Sequence, residues 1–335
     1  MPIDLTFLEE AMNRSARKFL VVPLALAAML GMASHAGAAF PDGTVRIIVG
    51  SAPGGSTDAV ARILATSLSK KWGQAVVVEN RDGAMNTIAT EFVAKSKPDG
   101  KTLLMASPQH TQAPSQMPLK YDAAKSFAPI TMTTTYPTYL VVNTDKVKAK
   151  TLAELIEYAK ANPGKLNYGT AGKGSGQFRN FAILIKRTGI KMQEITYTGG
   201  SPAMVALIGG EIDMTFTPFS GIKGAADPSK MRVIAVTSAE RSTAMPDIPS
   251  VAESGNLPGF DEFDWHGLLA PAGTPPEIVK QIRDDVVEAL NDPKNRAAVT
   301  SLGLVVRADT PESFTTFVSN DLAKWNAFFK DLKGK

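Results

Sequence analysis

Two short stretches of the sequence share one order of small and hydroxyl residues. They read GSAPGGS at residues 50–56 and GTAGKGS at residues 169–175, and each stands between a strand-like run and a helix-like run. Glycine lets such a loop turn sharply, and the first N–H groups of the following helix have no partner inside it. A loop of this kind can bind an anion. Two of them in separate strand-loop-helix units predict two walls that face one negatively charged ligand.

The candidate ligand-binding residues come from these loops and from later strand ends. Thr217 and the Thr198-Gly199-Gly200 turn follow predicted strands, where ligands of open α/β sheets bind. Asp58, in the first turn of its helix, is expected to cap free amides, because its charge would repel an anion. From the residues alone, the candidates are Gly54, Gly55, Ser56, Ala171, Gly172, Gly174, Ser175, Gly199, Gly200 and Thr217.

Other chemistries lack the residues that they need. The chain has no cysteine, which excludes thiolate metal sites and cysteine nucleophiles. Beyond the leader, His110 and His266 are far apart and lack metal-ligand spacing, which argues against a zinc site or a serine-histidine triad. We therefore expect no catalytic residue, no metal and no cofactor. An exported hydrolase that uses Ser175 or Ser56 is the enzyme alternative, and it lacks a paired base.

The first 38 residues are typical of an export signal. Arg14, Arg17 and Lys18 precede an apolar stretch over residues 19–33, and residues 36–38 read AGA, a small-residue cleavage pattern. Acidic residues before this region predict translation from Met12, with Met1 as the other possible start. We expect cleavage near Ala38 and a periplasmic location.

Charge argues against nucleic acid as a partner. The 36 basic and 32 acidic residues give a net charge of +4, and they are interspersed without a basic block.

The rest of the chain alternates β-branched runs with amphipathic helical windows, which is typical of α/β layers with mostly parallel sheets. Helix-start signals include Ser56 as an N-cap, a Thr151–Glu154 capping box and Thr274 before two prolines. The units from residue 265 onward lack glycine loops, so we expect them to complete the first lobe. The predicted division is 39–142 plus 265–335 for the first lobe and 143–264 for the second. Two crossings between lobes would form a hinge.

Longer segments resemble the Bug-type (TctC-like) solute receptors of tripartite tricarboxylate transporters. They are VRIIVGSAPGGSTDAVARILATSLSKKWGQAVVVENRDGA, PDGKTLL, KLNYGTAGKGSG, YTGGSPAMVALIGGEIDM and LLAPAGTPPEIV, in the family's order. The resemblance implies a periplasmic, two-domain, type II binding-protein fold with a cleft that closes on a small organic acid. Carried over by motif, it adds Ser107 to the candidates above.

The resemblance also implies partners. We expect a monomer that delivers a carboxylate to membrane permease subunits. A receptor that presents the carboxylate-bound form to a sensor kinase is the alternative.

Two departures from the family pattern fall near the expected site. Residues 83–86 read GAMN where family members commonly have GAGG, and Phe178 stands where many have a histidine, followed by Arg179. These changes make the surroundings more apolar or differently charged, so a citrate-like ligand is not assumed. An aromatic or longer dicarboxylate would be one consequence. Phe178 is therefore a candidate ligand contact, with core packing as the alternative.

Overall fold

The chain folds around two β-sheets. The computed structural model describes residues 40–333, and the export signal predicted at residues 1–38 lies outside them. In chain order the strands are β1 (Val45–Val49), β2 (Val76–Asn80), β3 (Thr102–Ala106), β4 (Phe127–Tyr136), β5 (Thr138–Asn143), β6 (Asn167–Thr170), β7 (Gln193–Thr196), β8 (Met214–Pro218), β9 (Met231–Val236), β10 (Asp264–Pro271) and β11 (Val305–Val306). The first sheet has the order β11-β4-β10-β3-β1-β2, and the second has the order β7-β6-β8-β5-β9.

Helices surround both sheets. They are α1 (Ser56–Trp72), α2 (Thr87–Ala94), α3 (Gln109–Gln112), α4 (Leu152–Ala161), α5 (Gly176–Thr188), α6 (Gly200–Gly209), α7 (Phe219–Lys223), α8 (Val251–Ser254), α9 (Pro276–Asn291), α10 (Pro293–Ser301) and α11 (Pro311–Lys333). Among the helices within residues 40–333, none combines the length and the apolar character that crossing a membrane requires.

All three of these predicted helices form, but only one of their three predicted N-cap residues is confirmed. The Thr151 hydroxyl accepts a hydrogen bond from the Glu154 N–H at 3.2 Å, as the capping box predicts. Helix α1 has Gly55 at its N-cap instead of Ser56. Helix α9 has Pro275 at its N-cap, and the Thr274 hydroxyl donates to the Pro271 carbonyl at 2.8 Å instead of capping the helix.

Both sheets are mixed, whereas mostly parallel sheets were expected. Strand β1 pairs in parallel with β2 and β3, but β10 runs antiparallel to β3 and β4. In the second sheet β6 is parallel to β7 and β8, and β5 is antiparallel to β8 and β9. Parallel neighbours need a crossover connection, usually a helix. Strand β10 enters the first sheet from the second sheet, so no such crossover sets its direction.

Apolar side chains bury the second sheet on both faces. Successive residues of β5 point to opposite sides, as the two-residue period of a strand requires. Leu140 packs with Phe181 and Phe216 on one face, and Tyr139 packs with Leu207 on the other. The first sheet has its own core, in which Leu104, Trp265 and Phe314 pack together. Each sheet with its helices therefore forms one lobe of the α/β fold.

The chain crosses between the sheets twice, and the crossings are hydrogen-bonded to each other. The first crossing is Pro137, between β4 and β5, and the second follows β9. The Thr237 N–H donates to the Thr138 carbonyl at 2.9 Å, and the Thr138 N–H donates to the Thr237 hydroxyl at 3.0 Å. Residue 142 lies within β5 of the second sheet, so the first crossing precedes the boundary predicted there. That the lobes are separate domains remains a prediction.

A buried ion cluster lies where the second crossing returns to the first sheet. Arg179 of α5 is 3% exposed, and its Nη2 lies 2.7 Å from Asp264 Oδ1. Its Nε lies 3.8 Å from Glu262 Oε2. Lys324 of α11 donates to both Glu262 carboxylate oxygens at 2.8 Å. The cluster thus connects helices of both lobes through the returning segment.

Removing Arg179 should destabilise the protein strongly, because the buried Asp264 carboxylate would lose its ion-pair partner, while Glu262 would keep only Lys324. We expect Arg179→Met to lower the free energy of unfolding by about 3–5 kcal/mol. Lys186→Met, on the same helix, is the matched control. Its ion pair with Asp331 is about half exposed, so the loss should stay below about 1 kcal/mol. Urea denaturation measures both variants, and equal losses would contradict a structural role for the cluster.

Candidate functional site

The first glycine loop is held by the carboxylate of Asp58, which is 3% exposed. Its Oδ2 accepts from the Gly54 N–H at 3.0 Å and from Arg62 Nε at 2.9 Å. Asn80 donates to Oδ1 at 3.0 Å. Hydrogen bonding from Arg62 is the largest cause that lowers the pKa of Asp58 to about 2. Asp58 therefore supports the loop, as predicted. The N–H groups of the first turn of α1, which begins at Ser56, have no partner inside the helix.

A buried histidine lies behind Ser56. Ser56 Oγ is 3.3 Å from His266 Nε2, and His266 Nδ1 is 2.8 Å from Thr134 Oγ1. The ring of Tyr136 packs against the imidazole at an interplanar angle of 30°, with centroids 5.0 Å apart. Burial lowers the pKa of His266 to about 3, so the ring is neutral near pH 7.

The serine-histidine pair corrects the expectation that Ser56 has no paired base. The two residues are 210 positions apart, and no local sequence pattern connects them. A catalytic triad uses a carboxylate to orient the histidine and to stabilise its charged form. Here Thr134 occupies that position, and the pKa lies far below neutrality. The geometry therefore suits His266 to orienting the Ser56 hydroxyl.

Several N–H groups of the second glycine loop already have hydrogen-bond partners on nearby side chains. The Ala171 N–H donates to Gln177 Oε1 at 3.1 Å, and the Gly172 N–H donates to the Thr170 hydroxyl at 3.0 Å. Ser175 is the N-cap of α5, and its hydroxyl accepts from a backbone N–H of that helix. These groups stabilise the loop, which leaves fewer donors for a ligand than its sequence suggests.

Gly174 of the second lobe contacts Met85 of the first lobe. A Cβ atom on Gly174 would lie 2.6 Å from Met85 Cε, so the Met85 side chain would have to move to admit one. Ala84, Met85 and Asn86 have positive φ angles of 47°, 55° and 67°. Glycine adopts such angles without steric cost. The departure from the GAGG pattern thus keeps the glycine-like backbone but adds a side chain that reaches the opposite lobe.

Ser107 and Phe178 have structural contacts. The Ser107 hydroxyl accepts from Asn86 Nδ2 at 2.9 Å and donates to Gln109 Oε1 at 2.8 Å, so it supports the turn that carries Met85. The Phe178 side chain is half-buried, and its N–H donates to Ser175 Oγ at 3.1 Å.

A cavity of about 550 Å³ lies between the lobes. From the first lobe, Gly54, Gly55 and Ser56 line it, and from the second lobe Gly200 and Thr217 do so. Helix α1 begins at Ser56 and helix α6 begins at Gly200, after its N-cap Gly199. The cavity therefore receives one helix N-terminus from each lobe. The remaining lining residues are Ala59, Ser201, Met204, Val205, Ile208, Pro218, Ser220, Gly221, Gly224, Ala225, Ala226 and Leu302.

The predicted site residues thus separate into two groups. The first loop faces Gly200 and Thr217 across the cavity. The residues that do not line it are Ser107, Ala171, Gly172, Gly174, Ser175, Phe178 and the N-cap Gly199. Within residues 40–333, no group of three histidine, aspartate or glutamate side chains is arranged to hold a metal ion. That the cavity-lining residues bind a ligand remains a prediction.

Two α/β lobes, two chain crossings and a cavity lined by both lobes define a bilobal α/β protein with a cavity between its lobes. Residues 60–333 match the family model described as "Tripartite tricarboxylate transporter family receptor". The chain belongs to this family, which confirms the resemblance noted in the sequence.

Solved structures agree with the family assignment. The periplasmic binding protein BugD is 33% identical, with 87% of this chain and 98% of that chain covered and a TM-score of 0.74. An R. palustris protein solved with adipate is 29% identical, covers 87% of this chain and 97% of that chain, and has a TM-score of 0.77. MatC from Rhodopseudomonas palustris, solved with malate, is 31% identical. The match covers 87% of this chain and 100% of that chain, with a TM-score of 0.74. The two-lobe α/β class is confirmed.

Replacing Asp58 should destabilise the first lobe in a pH-dependent way. Because its pKa is lowered in the folded protein, its contribution is present above about pH 4 and is lost as the pH falls through about 2. We expect Asp58→Asn to lower the free energy of unfolding by roughly 2 kcal/mol near neutral pH. The difference from the unaltered protein should shrink on acidification.

Urea denaturation at several pH values measures this difference. Asp227→Asn removes a carboxylate that caps a surface turn and should give a much smaller change. A difference for Asp58→Asn that grows towards low pH would contradict the assigned role.

Proposed function

We propose that this protein is a periplasmic receptor that captures a small organic acid between its lobes and delivers it to a tripartite tricarboxylate-type membrane transporter. The N-termini of α1 and α6 at one cavity carry this proposal. A helix N-terminus has about half a positive charge and free N–H groups. Two of them that converge from different lobes suit one carboxylate.

The available interactions are sufficient for a useful affinity. Hydrogen bonds to a charged group contribute on the order of 1.5–3 kcal/mol each, and Ser56 and Thr217 add hydroxyl groups to the N–H donors. A micromolar dissociation constant needs about 8 kcal/mol after association costs. When Nε2 of His266 carries the proton and donates to Ser56 Oγ, the imidazole does not compete with the carboxylate for the Ser56 hydroxyl proton.

Contacts between the lobes support capture by domain closure. Met85 packs on Gly174, and a Cβ atom on Gly303 would lie 2.5 Å from Phe219 Cβ. A ligand that bridges both lobes stabilises the closed arrangement only through contacts that the open one lacks. The hydrogen-bonded crossings at Thr138 and Thr237 are the natural hinge.

Location and partner complete the proposal. Cleavage of the predicted export signal near Ala38 would release a monomer into the periplasm, the compartment named for BugD. The family description supports membrane permease subunits as the partner. In the proposed role, the protein binds and releases its ligand unchanged, and no catalytic step is required.

Calorimetric titration with mono- and dicarboxylates tests the proposal. We expect one acid to bind with 1:1 stoichiometry. Ser56→Ala and Thr217→Val should each weaken binding about tenfold, because each removes one hydrogen bond to a charged group. Thr66→Ala, on the exposed side of α1, is the control, since its hydroxyl donates to the Arg62 carbonyl. The proposal fails if no organic acid produces binding heat.

A bulky residue at Gly174 should abolish tight binding. Gly174→Leu would collide with Met85 and hold the lobes apart, so we expect affinity to fall at least about tenfold. Adding Met85→Ala should restore much of it by vacating the space. Gly43→Leu is the control, because a Cβ atom there has no neighbour within 4 Å. Unchanged affinity in Gly174→Leu would argue against closure at this contact.

A further inference from the structure

We infer that the ligand is a monocarboxylate with an apolar body, an inference that rests on the proposed receptor function. The observation behind it is the gradient of polarity along α6, which forms one wall of the cavity. Gly200 and Ser201 begin the helix, Met204 and Val205 follow one turn later, and Ile208 follows after another turn. At 1.5 Å per residue this wall runs roughly 12 Å from polar to apolar.

The polar end suits one anionic group. The first turn of α6 faces the cavity together with Gly55 and Ser56 of the other lobe. Thr217, which is 2% exposed, adds a hydroxyl group to the lining. All these donors are neutral, so they stabilise a charge through aligned N–H and O–H groups and the two helix dipoles.

The other end lacks partners for a second charge. None of the described residues that line the cavity carries a charged side chain. A second carboxylate along α6 would also approach the negative end of its dipole. Placing an unpaired carboxylate against Met204, Ile208 and Leu302 is unfavourable, whereas an alkyl or aromatic group gains from leaving water.

The exposure of an apolar side chain on this wall of the cavity also favours a ligand with an apolar body. The Val205 side chain is 72% exposed, although it lines the cavity. A ligand body that packs on Val205 would remove this apolar surface from water. The volume of about 550 Å³ lies within the range of pockets that enclose sizeable organic ligands, so there is room for a body beyond the carboxylate. The preference differs from adipate and malate, the diacids with which two of the similar structures were solved.

A titration series on the full chain tests this preference. Straight-chain monocarboxylates from propionate to octanoate should bind about fourfold more tightly per added methylene group until the cavity is filled. Hexanoate should bind at least about tenfold more tightly than adipate, its diacid of equal length. Adipate binding as tightly as hexanoate, or a series with no dependence on chain length, would overturn the inference and leave the carboxylate receptor intact. Absence of binding by every acid would overturn both.

A charge introduced at the apolar end provides the second test. Val205→Arg places a cation on an exposed position of α6, so we expect the preference for hexanoate over adipate to fall at least about tenfold. Val77→Arg is the matched control, because Val77 is an exposed valine on the edge strand β2, outside the cavity lining. An unchanged ratio in Val205→Arg, or the same shift in Val77→Arg, would contradict the assignment of this wall to the ligand body.

Discussion

Two helix N-termini from different lobes converge on one cavity, and much of the surrounding structure serves to place them. Helix α1 begins after a loop whose Gly54 N–H is held by the buried Asp58. Helix α6 begins after Gly199, at the end of a short turn from β7. The partial charge at a helix end acts only over a short distance. One carboxylate can therefore interact with both helix N-termini only when the lobes are held close together in this relative position.

Polar contacts specify the region that joins the lobes, while apolar cores specify each lobe. Thr138 and Thr237 connect the crossings, and Asn180 Nδ2 donates to Thr138 Oγ1 at 2.7 Å. Arg179 adds its ion pair with Asp264 beside them. Buried polar and charged groups tolerate few arrangements, because a lost partner leaves an unsatisfied group in a dry environment. These contacts thus favour one arrangement of the two crossings.

The Ser56–His266 pair shows how the surroundings decide what a residue pair can do. In a hydrolase, a carboxylate would keep the histidine ready to accept the serine proton. Here the partner is the Thr134 hydroxyl, and burial keeps the imidazole neutral. The same two side chains then act as a fixed hydrogen-bonding unit at the edge of the cavity. This arrangement accords with a family described as transporter receptors.

The sequence by itself determined the strand-loop-helix units, the Thr151 cap, the structural role of Asp58 and the family, because these depend on neighbours within a few residues or on motifs in order. Only the tertiary structure decided that β10 runs antiparallel, that Arg179 is buried in an ion cluster, and that α6 faces α1 across the cavity. The shared sequence pattern of the two glycine loops had predicted that α5, the helix after the second loop, would face α1 across the cavity. Strand order and the contacts between lobes arise from pairing across long separations, which no local pattern encodes.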